Sequence, residues 1–126
     1  MASFENNQIR ETLTANTDHS AKRYHLVRLS AAEKFDQASN PGGTDNFGVL
    51  QTMPQAGKAG TIALFGMSKV VAGSSMAVGA MFTTSASGRA VTVSSGGYVF
   101  GRVWEAPSAD GDIVTCWLER PWKFAG

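Results

Sequence analysis

Cysteine is nearly missing from this 126-residue chain, which contains only Cys116. One thiol cannot form an internal disulfide, so the fold has to be stabilised by its hydrophobic core. Charge imbalance is missing too, because eleven basic and ten acidic residues leave a formal net charge of +1. That charge does not favour nucleic acid or an anionic membrane as a partner. The sequence has neither an apolar run of membrane-spanning length nor a signal-peptide core, so we expect a soluble protein made in the cytoplasm.

Helical periodicity is nearly absent, and short apolar runs take its place between Asn46 and Leu118. The runs are rich in β-branched and aromatic residues and are bounded by glycine-centred turns. They are Phe47–Gln51, Thr61–Gly66, Lys69–Val71, Met76–Phe82, Arg89–Val93, Tyr98–Trp104 and Asp112–Leu118. Such a pattern predicts an all-β protein, a compact sandwich or barrel of short antiparallel strands.

The N-terminal part of the chain has a different character. Met1 to Asp18 carries few apolar residues, and this predicts an extended arm whose end, near Thr12 to Thr14, could join the sheet as an edge strand. Lys22 to Leu29 alternates with apolar residues on both faces and is expected to be a central strand. Lys34 to Asp36 could be a helical turn or a short strand, and we favour the strand. Residues 19–126 are expected to form one β domain with an aromatic C-terminal tail.

Catalytic and metal-binding patterns are not recognisable. Gly57 and Lys58 lack the upstream glycine of a phosphate loop, and His19 and His25 have no cysteine or carboxylate cluster near them in sequence. Cys116 lies mid-strand and is interpreted as a small core residue rather than a nucleophile. Asp110 and Asp112, with Glu105 nearby, lack the ligand density of a calcium loop. We therefore expect no enzyme activity, no cofactor and no metal.

The aromatic residues leave two interpretations open. Trp104, Trp117 and Trp122, with Tyr98, Phe100 and Phe124, could form a platform for sugars or bases. Even spacing along a strand and the absence of interleaved basic residues favour a core or subunit-interface role for them.

The body of the chain resembles a known family in a set of collinear segments. The segments are Phe47–Gln51, Met53–Pro54, Ala56–Gly60, Gly66–Gly73, Ser87–Ala90 and Gly101–Val114, together with Ala2–Asn6 and Ser20–Lys22 near the start. In this order they resemble the small capsid cement, or head decoration, proteins of tailed bacteriophages. Two features depart from the family: Trp104 stands where a small or aliphatic residue is common, and Trp122–Phe124 extends past the usual end.

The resemblance implies a protein of the virion that binds the outer surface of the capsid as a homotrimer. Its partners would be the major capsid protein, whose neighbouring subunits it holds together, and itself. On this basis Phe4 and Ile9 of the arm are candidates for capsid binding. Trp117, Trp122 and Phe124 are candidates for the subunit interface. The competing hypothesis is a carbohydrate- or ligand-binding β-module that uses surface aromatics.

Overall fold

The computed structural model describes residues 8–41, 43, 45–94 and 96–124. These residues contain nine strands and no helix. The strands are β1 (Gln8–Ala15), β2 (Leu26–Ala31), β3 (Lys34–Gln37), β4 (Asn46–Leu50), β5 (Ala59–Val71), β6 (Met81–Thr84), β7 (Ala90–Thr92), β8 (Tyr98–Val103) and β9 (Ile113–Lys123). The predicted all-β class is confirmed.

Five of these strands form a closed barrel. Its order is β1-β3-β2-β4-β5, and β5 closes it by pairing antiparallel with β1 from Gln8↔Gly66 to Thr14↔Ala59. The pairing of β1 with β3 is parallel, which the expectation of an antiparallel fold did not include. A second set of strands, β9-β8-β6-β7, extends the sheet from the other half of β5.

Strand β5 connects the two parts because its 13 residues change neighbour midway. Ile62 and Ala63 pair with β4, whereas Gly66 to Val71 pair with β9. Gly66 has φ 98°, a left-handed conformation that costs a glycine little. The sequence predicted two strands here, divided after Gly66. The structure shows one, because the glycine lies inside the ladder instead of ending it.

Two hydrophobic clusters stabilise this arrangement. The barrel encloses Ala15, Val27, Phe35, Leu50 and Ile62. A larger cluster joins residues of β2, β4 and β5 to residues of β6, β8 and β9, Cys116 among them. The second cluster shows that the extension packs against the barrel. Cys116 is fully buried, as the sequence predicted for a small core residue.

The N-terminal boundary is corrected by the structure. Gln8 to Ala15 belongs to the barrel, so Thr12 to Thr14 joins the sheet as the sequence allowed, and the expected arm is wrong from Gln8 to Glu11. The segment was misjudged because it has few apolar side chains, yet a strand that closes a barrel is stabilised by ladder hydrogen bonds on both edges. Phe4 and the remainder of Met1 to Asn7 lie outside the described residues.

Two further boundaries differ from the sequence expectations. Strand β2 begins at Leu26 rather than Lys22, because Tyr24 has φ 67° and a turn joins the His25 amide to the Lys22 carbonyl. The C-terminal tail is a strand as far as Lys123, since Val99 pairs with Trp122 and Tyr98 with Lys123. The register shifts between Val99 and Gly101, and this irregularity accommodates Pro121, which has no amide hydrogen to donate. The strand Lys34–Asp36 is confirmed as part of β3.

Candidate interaction surface

An apolar groove opens on the surface where β5 changes partner. After Leu118 strand β9 no longer pairs with β5, and β4 does so only as far as Ala63. At Leu64 and Phe65 the ladder of β5 continues with β1 alone among the described strands, through Ile9↔Phe65. The groove has a volume of about 730 Å³. It is lined by Ile9 of β1, Phe47 of β4, Leu64 and Phe65 of β5, and Arg120 and Pro121 of β9. This volume falls within the roughly 300–1,000 Å³ typical of ligand sites.

An aromatic row continues from the groove along the same sheet. Phe65, a groove residue, contacts Trp117 edge-on with ring centroids 5.8 Å apart. Trp117 in turn stacks on Trp104 at 6.0 Å with an interplanar angle of 11°. Trp104 is 53% exposed, and Trp117 is half-buried beneath it. Groove and row together form one continuous apolar surface, from Ile9 to Trp104.

A second aromatic feature, separate from the row, lies at the end of β9. The rings of Trp122 and Phe124 meet edge-on at 6.4 Å, and Trp122 is 41% exposed. The Trp122 indole donates a hydrogen bond to Glu119, 3.0 Å away, which fixes the orientation of the indole. The Phe124 amide donates to the Gly97 carbonyl, and the Gly96 amide donates to the Phe124 carbonyl. This aromatic pair is therefore anchored to the β-body.

The candidate residues from the sequence are distributed over both features. Ile9 lies in the groove and is 59% exposed, whereas Trp117 belongs to the row and Trp122 with Phe124 forms the pair. A core role for Trp104 is excluded by its exposure, but Phe100 is buried as expected.

The groove itself was not predicted from the sequence. Its members Phe47, Leu64, Phe65, Arg120 and Pro121 come from three strands. A partial signal was available: Leu64 and Phe65 continue the apolar run past Ile62 and Ala63. Ile62 and Ala63 are each buried in a hydrophobic cluster, whereas Phe65 is 41% exposed.

The polar residues considered for chemistry have structural partners instead. Burial would raise the pKa of Asp36, but hydrogen bonds from Thr17 and Asn16 outweigh it and lower that pKa. His19 stacks on Phe35, and its Nε2 lies 3.3 Å from an Asp36 oxygen. These contacts attach the segment after β1 to β3.

Two other carboxylates support turns around the aromatic row. A hydrogen bond from the Thr115 amide, 2.6 Å long, lowers the pKa of Glu105. Hydrogen bonds from Ser108 lower the pKa of Asp112, which also accepts from the Ala109 amide. Each stabilises its loop as a structural acceptor.

The remaining candidates show no arrangement for catalysis. Burial raises the pKa of Cys116 to about 12, so the thiolate is not available near neutral pH. Burial also lowers the pKa of His25. Within the described ranges no group of three or more potential metal ligands is found, and no helix there could cross a membrane.

The chain is similar to known proteins in sequence and in fold. The structure of the head fiber gp8.5 N base in bacteriophage phi29 has a similar fold, with a TM-score of 0.68 and 22% sequence identity. The match covers 94% of this chain and 99% of that one. No curated protein matches the chain at a significant level. The family model described as phage cement protein matches residues 6–118. The chain therefore belongs to the phage cement protein family.

Proposed function

We propose that this protein binds the outer surface of a phage head as a homotrimer and stabilises contacts between neighbouring major capsid subunits. It would be synthesised in the host cytoplasm and act on the virion without a cofactor, an enzymatic activity or nucleic acid as a partner. Membership of the cement protein family supports the capsid role, and the phage-head neighbour supports the fold that carries it.

The continuous apolar surface from the groove to Trp104 is the observation that carries the proposal. A soluble monomer rarely exposes large contiguous apolar patches, and such patches mark interaction sites. Here the patch lies on paired strands and on Trp104, whose amide donates a hydrogen bond to the Thr115 carbonyl of β9, so it would dock without having to become ordered first. A rigid docking surface suits a protein that acts by holding others together.

Capsid contact is assigned to Phe4 and Ile9. Ile9 projects into the groove from a paired strand, so its contribution would come from a fixed position. Phe4 precedes this strand by four residues and would reach a capsid surface next to the groove.

Self-association is assigned to Trp117, Trp122 and Phe124. A cyclic trimer needs a heterologous interface, in which two different patches of one subunit meet their complements on the next subunits. The aromatic row with Trp117 and the pair of Trp122 with Phe124 are two separate exposed aromatic features. They therefore satisfy the requirement for two distinct patches.

Capsid co-sedimentation tests this function. The protein should sediment with expanded heads that lack it, and not with unrelated capsids. Ile9→Ala should lower occupancy per folded molecule, whereas Met53→Ala should not. The two side chains are 59% and 56% exposed, and Met53 lies in the loop between β4 and β5, beyond the opposite end of the β1–β5 ladder. Equal occupancy of both variants would contradict the assignment of the groove.

The alternative function is a carbohydrate- or ligand-binding module. The near-parallel stacking of an exposed Trp104 on Trp117 favours it, because flat aromatic faces bind sugar rings. A saccharide-induced change in tryptophan fluorescence, abolished by Trp104→Ala, together with absent capsid binding, would support this alternative and contradict the capsid role.

A further inference from the structure

The groove combines an apolar lining with a single cation. Five of its six lining residues are apolar, and the sixth is Arg120. Ion pairs within the described ranges involve Arg28, Arg89, Arg102 and His19, so no carboxylate there pairs with Arg120. The chemistry that fits such a groove is a large apolar side chain with a carboxylate next to it.

The chain itself carries this combination at its N-terminus. Phe4 is the only aromatic residue of Met1 to Asn7, and Glu5, which follows it, is the only charged side chain of that segment. An apolar group and a carboxylate therefore stand side by side, as the groove requires.

The position of β1 brings this segment to the groove. Ile9 is a groove wall, and the Gln8 side chain donates a hydrogen bond of 2.7 Å to the Met67 carbonyl of β5. Phe4 is four residues before Gln8, a reach of at most about 14 Å for an extended chain. The first described residues of β1 thus lie at the groove, and four residues are enough to place Phe4 over it.

We propose that the groove between Ile9, Leu64 and Arg120 is the intramolecular binding site of Phe4 while the protein is free of capsid. In this docked state Glu5 forms an ion pair with Arg120. Attachment through β1 makes this docking intramolecular, and the resulting high effective concentration compensates for a small contact. The inference concerns the free protein and does not depend on the capsid role. If the proposed function holds as well, capsid binding would release Phe4 from the groove and leave both to contact the shell.

Methyl NMR of the full-length protein tests directly whether Phe4 occupies the groove. An aromatic ring in the groove shifts the resonances of nearby methyl groups, so Phe4→Ala should move the signals of Ile9 and Leu64. The methyl groups of Leu29 and Val78, which lie outside the groove, should stay in place. Unchanged Ile9 and Leu64 signals would overturn the proposal.

A charge exchange tests the ion pair. Glu5→Lys should reproduce part of the Phe4→Ala shift, because it places a second cation beside Arg120. Combining Glu5→Lys with Arg120→Glu should restore the original signals of Ile9 and Leu64. If the double variant instead resembles Glu5→Lys alone, Glu5 does not pair with Arg120 and that part of the proposal fails.

Dilution separates the possible occupants. Docking within one chain is independent of concentration, so the Phe4-dependent shifts should be the same at the lowest and highest measurable concentrations. Shifts that disappear on dilution would show a segment from a second copy and overturn the same-chain assignment. Because capsid is absent from these samples, a negative result for Phe4 docking in the groove can be distinguished from a negative result for capsid binding.

Discussion

Replacing Trp122 by alanine is expected to weaken the proposed trimer while leaving the subunit folded. A tryptophan can bury about 150–250 Å². With 41% of the side chain exposed, roughly 60–100 Å² remains available for a partner. At about 25 cal/mol per Å² this area is worth roughly 1.5–2.5 kcal/mol in each interface.

The effect on assembly is larger than the effect on one interface. A cyclic trimer contains three equivalent interfaces, so the loss per trimer is about 4.5–7.5 kcal/mol. For a monomer–trimer equilibrium, the total concentration at which half of the protein is assembled scales with the square root of the trimer dissociation constant. The concentration at half-assembly should therefore rise roughly 40- to 500-fold, at about 1.4 kcal/mol per factor of ten.

Light scattering or sedimentation over a wide concentration range measures this midpoint. Met53→Ala is the matched control, because that side chain is 56% exposed but lies outside both aromatic features. Thermal melts establish that both variants fold, and we expect only a small change for Trp122→Ala since its edge-on contact with Phe124 is a surface interaction. An unchanged midpoint in a folded Trp122→Ala protein would refute the assignment of this residue to the interface.

Three other expectations concern the β-body. Because burial lowers the pKa of His25 below its ordinary 6.5, the folded state resists protonation there. Stability should be full above about pH 6.5 and fall below it, and His25→Gln should flatten this dependence in melts at several pH values. Cys116 should resist alkylation at pH 8 in the native protein and react in denaturant, as followed by mass spectrometry, because burial raises its pKa to about 12. Gly48→Ala should cost about 1–3 kcal/mol in denaturant unfolding. Its added Cβ would lie 2.5 Å from the Ala63 carbonyl oxygen, and a stability equal to that of the parent would contradict this packing.

Local patterns in the sequence were sufficient for the fold class and for much of the strand content. Strand β2 is apolar on both faces where it begins, because Leu26 packs in one hydrophobic cluster and Val27 in the other, while its two edges pair with β3 and β4. That pattern is a consequence of burial on both sides, so a central strand could be recognised from it. Cys116 was interpreted as a core residue from its position in mid-strand, and even spacing along the strand allowed a core role for Phe100.

Pairing between distant strands could not be predicted in this way. The parallel contact of β1 with β3 and the closure of β1 on β5 depend on partners far away in sequence, which leave no local periodicity. A glycine with positive φ is normally a sign of a turn, and only the ladder on both sides of Gly66 shows that it lies within one strand.

The candidate surface is a direct result of these long-range pairings. The groove exists because no single neighbour covers all of β5: β1 pairs with it from Ala59 to Gly66 and β9 from Gly66 to Val71, and β9 leaves β5 after Leu118. The same divergence brings Ile9, from the start of the chain, next to Pro121, near its end. In the sequence these residues belonged to an expected arm and an expected tail, each judged separately and each apparently in need of a partner. In the structure β1 and β9 both pair with β5, and the groove is the side-chain surface left exposed between β1 and β9. A truncation meant to test the N-terminal segment should therefore stop before Gln8, because removing Ile9 would alter the groove wall and the β1–β5 ladder at the same time.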